Sequence, residues 1–94
     1  MTWVWDPAKA EANFRKHKVS FELAERVFGD PWALTMADPN PHEKRWRTIG
    51  LPSADSTVML FVVHTGDEAG EGGRIISARR ATPAERRAYE EGEF

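Results

Sequence analysis

The chain predicts an α+β fold, with the helices on one side of an antiparallel sheet, and three observations carry that expectation. Helix signals are confined to residues 6–28 and 82–91, at the two ends of the chain. Four short segments with strand character lie between them, punctuated by proline and glycine. The run 58–63 is continuously apolar, the mark of a central strand buried on both faces. The expected order is β-α-α-β-β-β-β-α in one domain spanning 1–94, because 94 residues supply surface for a single core.

The elements follow in chain order. Thr2-Trp3-Val4-Trp5 is rich in β-formers and predicts a short opening strand. Asp6-Pro7 then supplies an N-cap and a proline at the first helical position. That helix should run to about His17, with Ala10, Phe14 and His17 as its apolar stripe and Lys9, Asn13 and Lys16 on a neighbouring face. Ser20 caps a second helix that turns Phe21, Ala24, Val27 and Phe28 inward, and Gly29-Asp30-Pro31 ends it. The pair is not a DNA-reading helix-turn-helix, since the second helix shows Glu22 and Glu25 outward beside a single Arg26.

Residues 33–37 predict a modest strand, and Asp38-Pro39-Asn40-Pro41 a loop that proline keeps out of a ladder. Arg45-Trp46-Arg47-Thr48-Ile49 alternates, with Arg45, Arg47 and Ile49 on one face. Pro52-Ser53-Ala54-Asp55 turns the chain into the apolar run, and His64 closes it. A glycine-rich acidic connector, 66–73, leads to the last strand, 74–79. Thr82 and Glu85 form a capping box with Pro83 at the first position of the last helix.

Four tryptophans and five phenylalanines argue for a folded domain, and the absence of cysteine removes disulfides and thiolate metal sites. Three scattered histidines show no metal-ligand spacing, so neither metal nor cofactor is expected. The run 58–63 is too short to span a bilayer and the N-terminus lacks a signal pattern, so no membrane association and a cytoplasmic location are expected. Net charge is −2, yet basic segments alternate with acidic ones: five basic groups and one acidic fall within 74–87. A basic face on an acidic protein is therefore available, with mixed solvated surface as the plainer account. The strand-to-helix joint is the densest point, with Arg74, Arg79, Arg80, Arg86 and Arg87 around Glu85 and Tyr89.

The chain resembles the BrnT toxins of type II BrnT/BrnA toxin–antitoxin systems, related in fold to the RelE-like ribonuclease toxins. The resemblance rests on Trp5-Asp6-Pro7-Ala8-Lys9 with Asn13, Lys16-His17, Val19-Ser20-Phe21 and Phe28-Gly29-Asp30-Pro31. It continues through Arg45, Ile49-Gly50, Val63-His64, the stretch Arg74-Ile75-Ile76-Ser77-Ala78-Arg79-Arg80-Ala81-Thr82, Glu85-Arg86 and Tyr89. It implies a compact RelE-like domain that cleaves RNA and inhibits translation. It also implies a cognate BrnA-like antitoxin, a ribbon-helix-helix repressor through which alone the pair meets operator DNA. The acidic net charge and the 66–73 insertion depart from the family pattern.

Metal-free RNA cleavage needs a base near the 2′-hydroxyl, cations against the phosphorus and an acid for the leaving oxygen. Arginine suits the second role, since its planar fork binds phosphate bidentately. Arg79 is the first choice, flanked by Arg45 and Arg47; pairing with acidic loops is the alternative, preferred for Arg74 and Arg87. His64 is a candidate acid or base, although a lone histidine closing a buried strand is more often a packing residue. Glu85 is a catalytic candidate whose cap role explains it equally well, and Tyr89 could stack on a base or pack on the sheet. Lys9, Lys16, Arg80 and Arg86 are candidate RNA contacts, and the tryptophans are read as core. The competing function is a catalytically weak partner-binding module, acting with a repressor in operon autoregulation.

Overall fold

The computed structural model describes residues 2–66 and 72–93, so most of the acidic connector lies outside the described residues. The elements are β1 (Thr2–Val4), α1 (Pro7–His17), α2 (Phe21–Glu25) tightening into a 3-10 turn (Arg26–Gly29), β2 (Leu34–Asp38), β3 (Arg45–Gly50), β4 (Leu60–His64), β5 (Gly72–Arg80) and α3 (Pro83–Glu91). This is the expected succession. The anticipated caps form: Asp6 accepts from the Ala8 N–H, Ser20 from Leu23, and Thr82 and Glu85 close a reciprocal capping box.

The strands build one mixed sheet in the order β1-β5-β4-β3-β2. β2 to β5 form an antiparallel meander, and β1 joins β5 in parallel, ending with Val4 opposite Arg74. Such a parallel pair needs a long crossover, which everything between β1 and β5 provides. β5 starts at Gly72, two residues before the expected Arg74, because its first residues pair with β1. β4 starts at Leu60; Ser56 exchanges hydrogen bonds with Val58 and holds the preceding residues in a turn.

The helices do not all share one side. Leu60 and Val62 of β4 pack with Phe21, Ala24 and Val27 beneath α1 and α2. Phe61, one residue out of phase, packs with Ile49 and Met59 on the other side, where Tyr89 of α3 covers them. A central strand apolar on both faces needs cover on both, so α3 takes the second face. Gly50 lets the 3-10 turn approach β3, since a Cβ there would stand 2.8 Å from Val27 Cγ1.

The apolar stripe of α1 differs from the expected one. Phe14 is 50% exposed while Asn13 is only 8% exposed. β1 stops opposite Arg74, which leaves the outer edge of β5 beyond it without a strand among the described residues. The Asn13 amide takes that place: Nδ2 donates to Ala78 O at 2.8 Å and Val19 O at 3.1 Å, and Oδ1 accepts from Ala78 N at 3.2 Å. A side-chain amide carries the donor and acceptor of a peptide group, so it can substitute for a neighbouring strand.

Candidate active site

The site grows from the end of β5. Arg79 lies opposite Phe61, which lies opposite Ile49, and directly opposed side chains share a sheet face. The capping box starts α3 three residues later and lifts Glu85 above Arg79. Arg79 Nη1 and Nη2 donate to Glu85 Oε1 and Oε2 at 2.8 and 2.9 Å, and Nη1 also donates to Arg80 O at 3.1 Å. The guanidinium lies 4.0 Å above the Phe61 ring, which orients it further. Three of its five N–H groups are thus engaged among the described residues. The Nε–H and the second Nη2 hydrogen remain, and together they form the side-on fork that binds a carboxylate or phosphate bidentately. Burial pushes the Glu85 carboxyl upward, but hydrogen bonds from Arg79 and the Thr82 backbone, with the arginine charge, outweigh it and hold it below 4.5. Glu85 is therefore both cap and counter-ion, and a weak base while Arg79 stays in place.

Arg45 and Arg47 share this face with Arg79, as the alternation of β3 requires. Arg47 Nε donates to Asp38 at 2.6 Å across the β2–β3 pair. Arg45 and Arg74 converge on Glu43 at 2.8 and 2.9 Å, and their hydrogen bonds lower its carboxyl pKa. The pairing with acidic residues expected for Arg74 is present, and Arg45 shows it as well. Arg87 is exposed and takes part in no ion pair among the described residues.

His64 is placed in the core, with 0% exposure. Nδ1 donates to Thr65 O at 2.9 Å, since a carbonyl can only accept, and Nε2 meets Thr48 Oγ1 at 2.7 Å, which meets Thr35 Oγ1 at 2.8 Å. Trp3 and Phe28 contact the ring edge to face. This is the packing role, and it keeps the imidazole from touching a bound substrate directly. Tyr89 donates its hydroxyl to Asp30 Oδ2 at 2.8 Å; burial first, then that bond and the Asp30 charge, push its pKa up to about 12. The phenol stays protonated at neutral pH, with its proton directed at a carboxylate.

Lys9 and Lys16 sit on α1, across the sheet from Arg79, so the structure does not bring them to the arginine face. Arg80 points away from Arg79 by strand alternation, and Arg86 reaches Thr57 O at 3.5 Å. Sequence reasoning missed several residues. Asp30 holds the Trp32 N–H, the Leu51 N–H and the Tyr89 hydroxyl, fixing the chain between the 3-10 turn and β2. Trp32, read as core, is 74% exposed. The Gly29-Asp30-Pro31 turn was the available signal, because a tryptophan set between a turn proline and a short strand has no helix or strand face to hide in. Lys18 and Arg26 carry no ion pair among the described residues. Among those residues, no group of three or more histidine, aspartate or glutamate side chains could hold a metal ion, and no helix is long and apolar enough to cross a membrane.

The fold matches the 1.1 Å crystal structure of the Brucella abortus ribonuclease toxin BrnT with a TM-score of 0.59 and 24% identity, over 87% of this chain and 97% of that one. A comparison with curated proteins finds no match. The family model described as "Ribonuclease toxin, BrnT, of type II toxin-antitoxin system" matches residues 5–85, which include every element described above except β1 and most of α3. The chain therefore belongs to the BrnT family of ribonuclease toxins of type II toxin–antitoxin systems.

Proposed function

We propose that this chain is a metal-independent endoribonuclease whose phosphate-stabilising group is Arg79, and that its cleavage of RNA inhibits translation in the cytoplasm. The carrying observation is the Arg79 guanidinium, fixed by Glu85 and Phe61 with one bidentate edge unengaged among the described residues. In the reaction, the substrate's 2′-oxygen attacks the adjacent phosphorus and loses its proton. The 5′-oxygen leaves and takes up a proton, giving a 2′,3′-cyclic phosphate and a 5′-hydroxyl. Negative charge builds on the non-bridging oxygens, and an arginine already held in place offsets it without reorganising. Arg45 and Arg47 add positive potential on the same face. Tyr89 is too weakly acidic to act as base at neutral pH, and Glu85 positions Arg79.

Arg79→Ala should lower the cleavage rate about 10²- to 10³-fold, the usual cost of removing one such donor. Cleavage by the parental chain should survive a chelator. A folded Arg79→Ala protein that cuts RNA at the parental rate refutes the assignment. The toxin's partner is a cognate antitoxin, in this proposal a ribbon-helix-helix repressor that neutralises it and brings the pair to operator DNA.

One observation favours a second reading, a partner-binding module with weak catalysis. Arg45, Arg47, Arg74 and Arg79 each already engage a carboxylate. Induced expression of the chain alone separates the two: growth arrest with fragmented RNA supports the ribonuclease, and soluble protein with intact RNA supports the module.

A further inference from the structure

A second concave surface lies on the α2 side of the sheet end. A groove of about 410 Å³ runs between the α1–α2 turn, the 3-10 turn and the 52–58 loop, lined by Lys18, Arg26 and Arg80 with Ser53 and Thr57. None of the three cations has an ion pair among the described residues, in contrast to Arg45, Arg47, Arg74 and Arg79 on the other face. The carboxylate lining it, Asp55, accepts from Ser53 Oγ at 2.9 Å. A larger cavity of about 630 Å³ adjoins it, and the two share Arg26, Pro52 and Ser53. Its far wall is Trp32, with Tyr89 and Leu51 beside it and Glu25 and Asp30 contributing acid groups. Asp30 anchors the tryptophan's backbone at 2.9 Å, so the indole stands on a fixed base while remaining 74% exposed.

We infer that this continuous surface is a groove for single-stranded RNA, with backbone phosphates at Lys18, Arg26 and Arg80 and a base stacked on Trp32. The inference rests on the RNA-cleaving reading and gives that substrate a path. Cations that are not internally neutralised attract a polyanion, and an exposed indole in line with them offers the stacking platform that unpaired bases use. Arg80 and Arg79 are consecutive in β5 and point to opposite faces, so a strand rounding the sheet end passes from the groove to the Arg79 fork.

The test uses the purified full chain and a labelled, uncleavable 2′-O-methyl oligoribonucleotide, with affinity read by fluorescence anisotropy over a salt series. The Arg26→Gln/Arg80→Gln double variant should bind more weakly, and its slope of log affinity against log salt should shrink by about 1.4, at ~0.7 for each phosphate no longer neutralised. Trp32→Ala should weaken binding by roughly 5- to 100-fold, and Trp32→Phe should restore most of it. All substituted side chains are exposed and thermal melting checks their folding. RNA cleavage by the parental chain and by Arg79→Ala is measured alongside. Unchanged affinity in the groove variants, while the parental chain still cleaves, overturns the groove and leaves the ribonuclease reading standing. Weakened groove variants alongside an Arg79→Ala protein that cleaves normally support the groove and overturn the Arg79 assignment. Two other results also overturn the groove: no binding by the parental chain even at low salt, or variants that lose affinity for the purified antitoxin but not for the oligonucleotide.

Discussion

Replacing Asn13 by alanine should be among the most damaging single changes in this protein, although the position lies between two lysine-bearing turns of a solvent-facing helix. The side chain is 8% exposed and makes three hydrogen bonds to backbone groups of Val19 and Ala78. Alanine leaves one buried N–H and weakens two carbonyls with no strand to replace it. At about 1–3 kcal/mol for each buried group left unsatisfied, with the carbonyls at the lower end, the loss is about 3–5 kcal/mol. Against a total stability of about 5–15 kcal/mol this is a large share. For a domain of this size each kcal/mol moves the melting point by about 4–8 °C, so Tm should fall by at least about 12 °C. The urea midpoint should fall by about 2 M at an unchanged slope. Asn13→Asp should be no better, because it keeps the acceptor but sets a carboxylate against two carbonyl oxygens. Lys9→Ala and Lys16→Ala, on exposed positions of the same helix, should stay within about 0.5 kcal/mol of the parent. An Asn13→Ala protein that melts within about 4 °C of the parent refutes the claim that this amide substitutes for a strand.

Tyr89 is the single tyrosine, so spectrophotometric titration reads it directly; it should ionise near 12 in the folded chain and near 10 after unfolding. Because the folded pKa is raised, its contribution to stability is complete below pH 10 and disappears as pH rises through 12, and Tyr89→Phe should flatten that alkaline loss. Glu85 behaves in the opposite sense: its folded pKa is depressed, so its contribution is present above 4.5 and is lost as pH falls through the lower folded value. Acid unfolding curves of Glu85→Gln should therefore show a smaller loss of stability below pH 4.5 than the parent, and identical curves refute the Arg79–Glu85 linkage.

Much of the fold is written in short-range signals. Asp6-Pro7, Ser20 and Thr82 with Glu85 each satisfy backbone donors two or three residues away, so their neighbours alone decide where helices begin. The apolar run ending at His64 identifies the middle strand, and the alternation of β3 puts Arg45 and Arg47 on one face. Arg79 and Glu85 stand only six positions apart, and the density of guanidinium groups at their joint is visible in the chain itself. The family is legible for the same reason, since its motifs are contiguous stretches.

What only the tertiary structure decides are the contacts made over long separations. Asn13 meets Ala78 across 65 positions, Tyr89 meets Asp30 across 59, and Glu43 reaches Arg74 across 31. Periodicity assigned Asn13 to a polar stripe because it cannot register that β1 ends early and leaves a strand edge to be satisfied. It put all helices on one side because the demand of Phe61 and Ile49 for cover arises only once the sheet exists. Trp32 counted as core on residue type, whereas its exposure follows from the turn that Asp30 pins. Lys18, Arg26 and Arg80 become a single charged groove only when the α1–α2 turn, the 3-10 turn and the end of β5 are folded against the 52–58 loop. Caps and alternation are fixed by bonds to near neighbours, whereas a binding surface is fixed by which distant backbone groups the fold leaves to be satisfied.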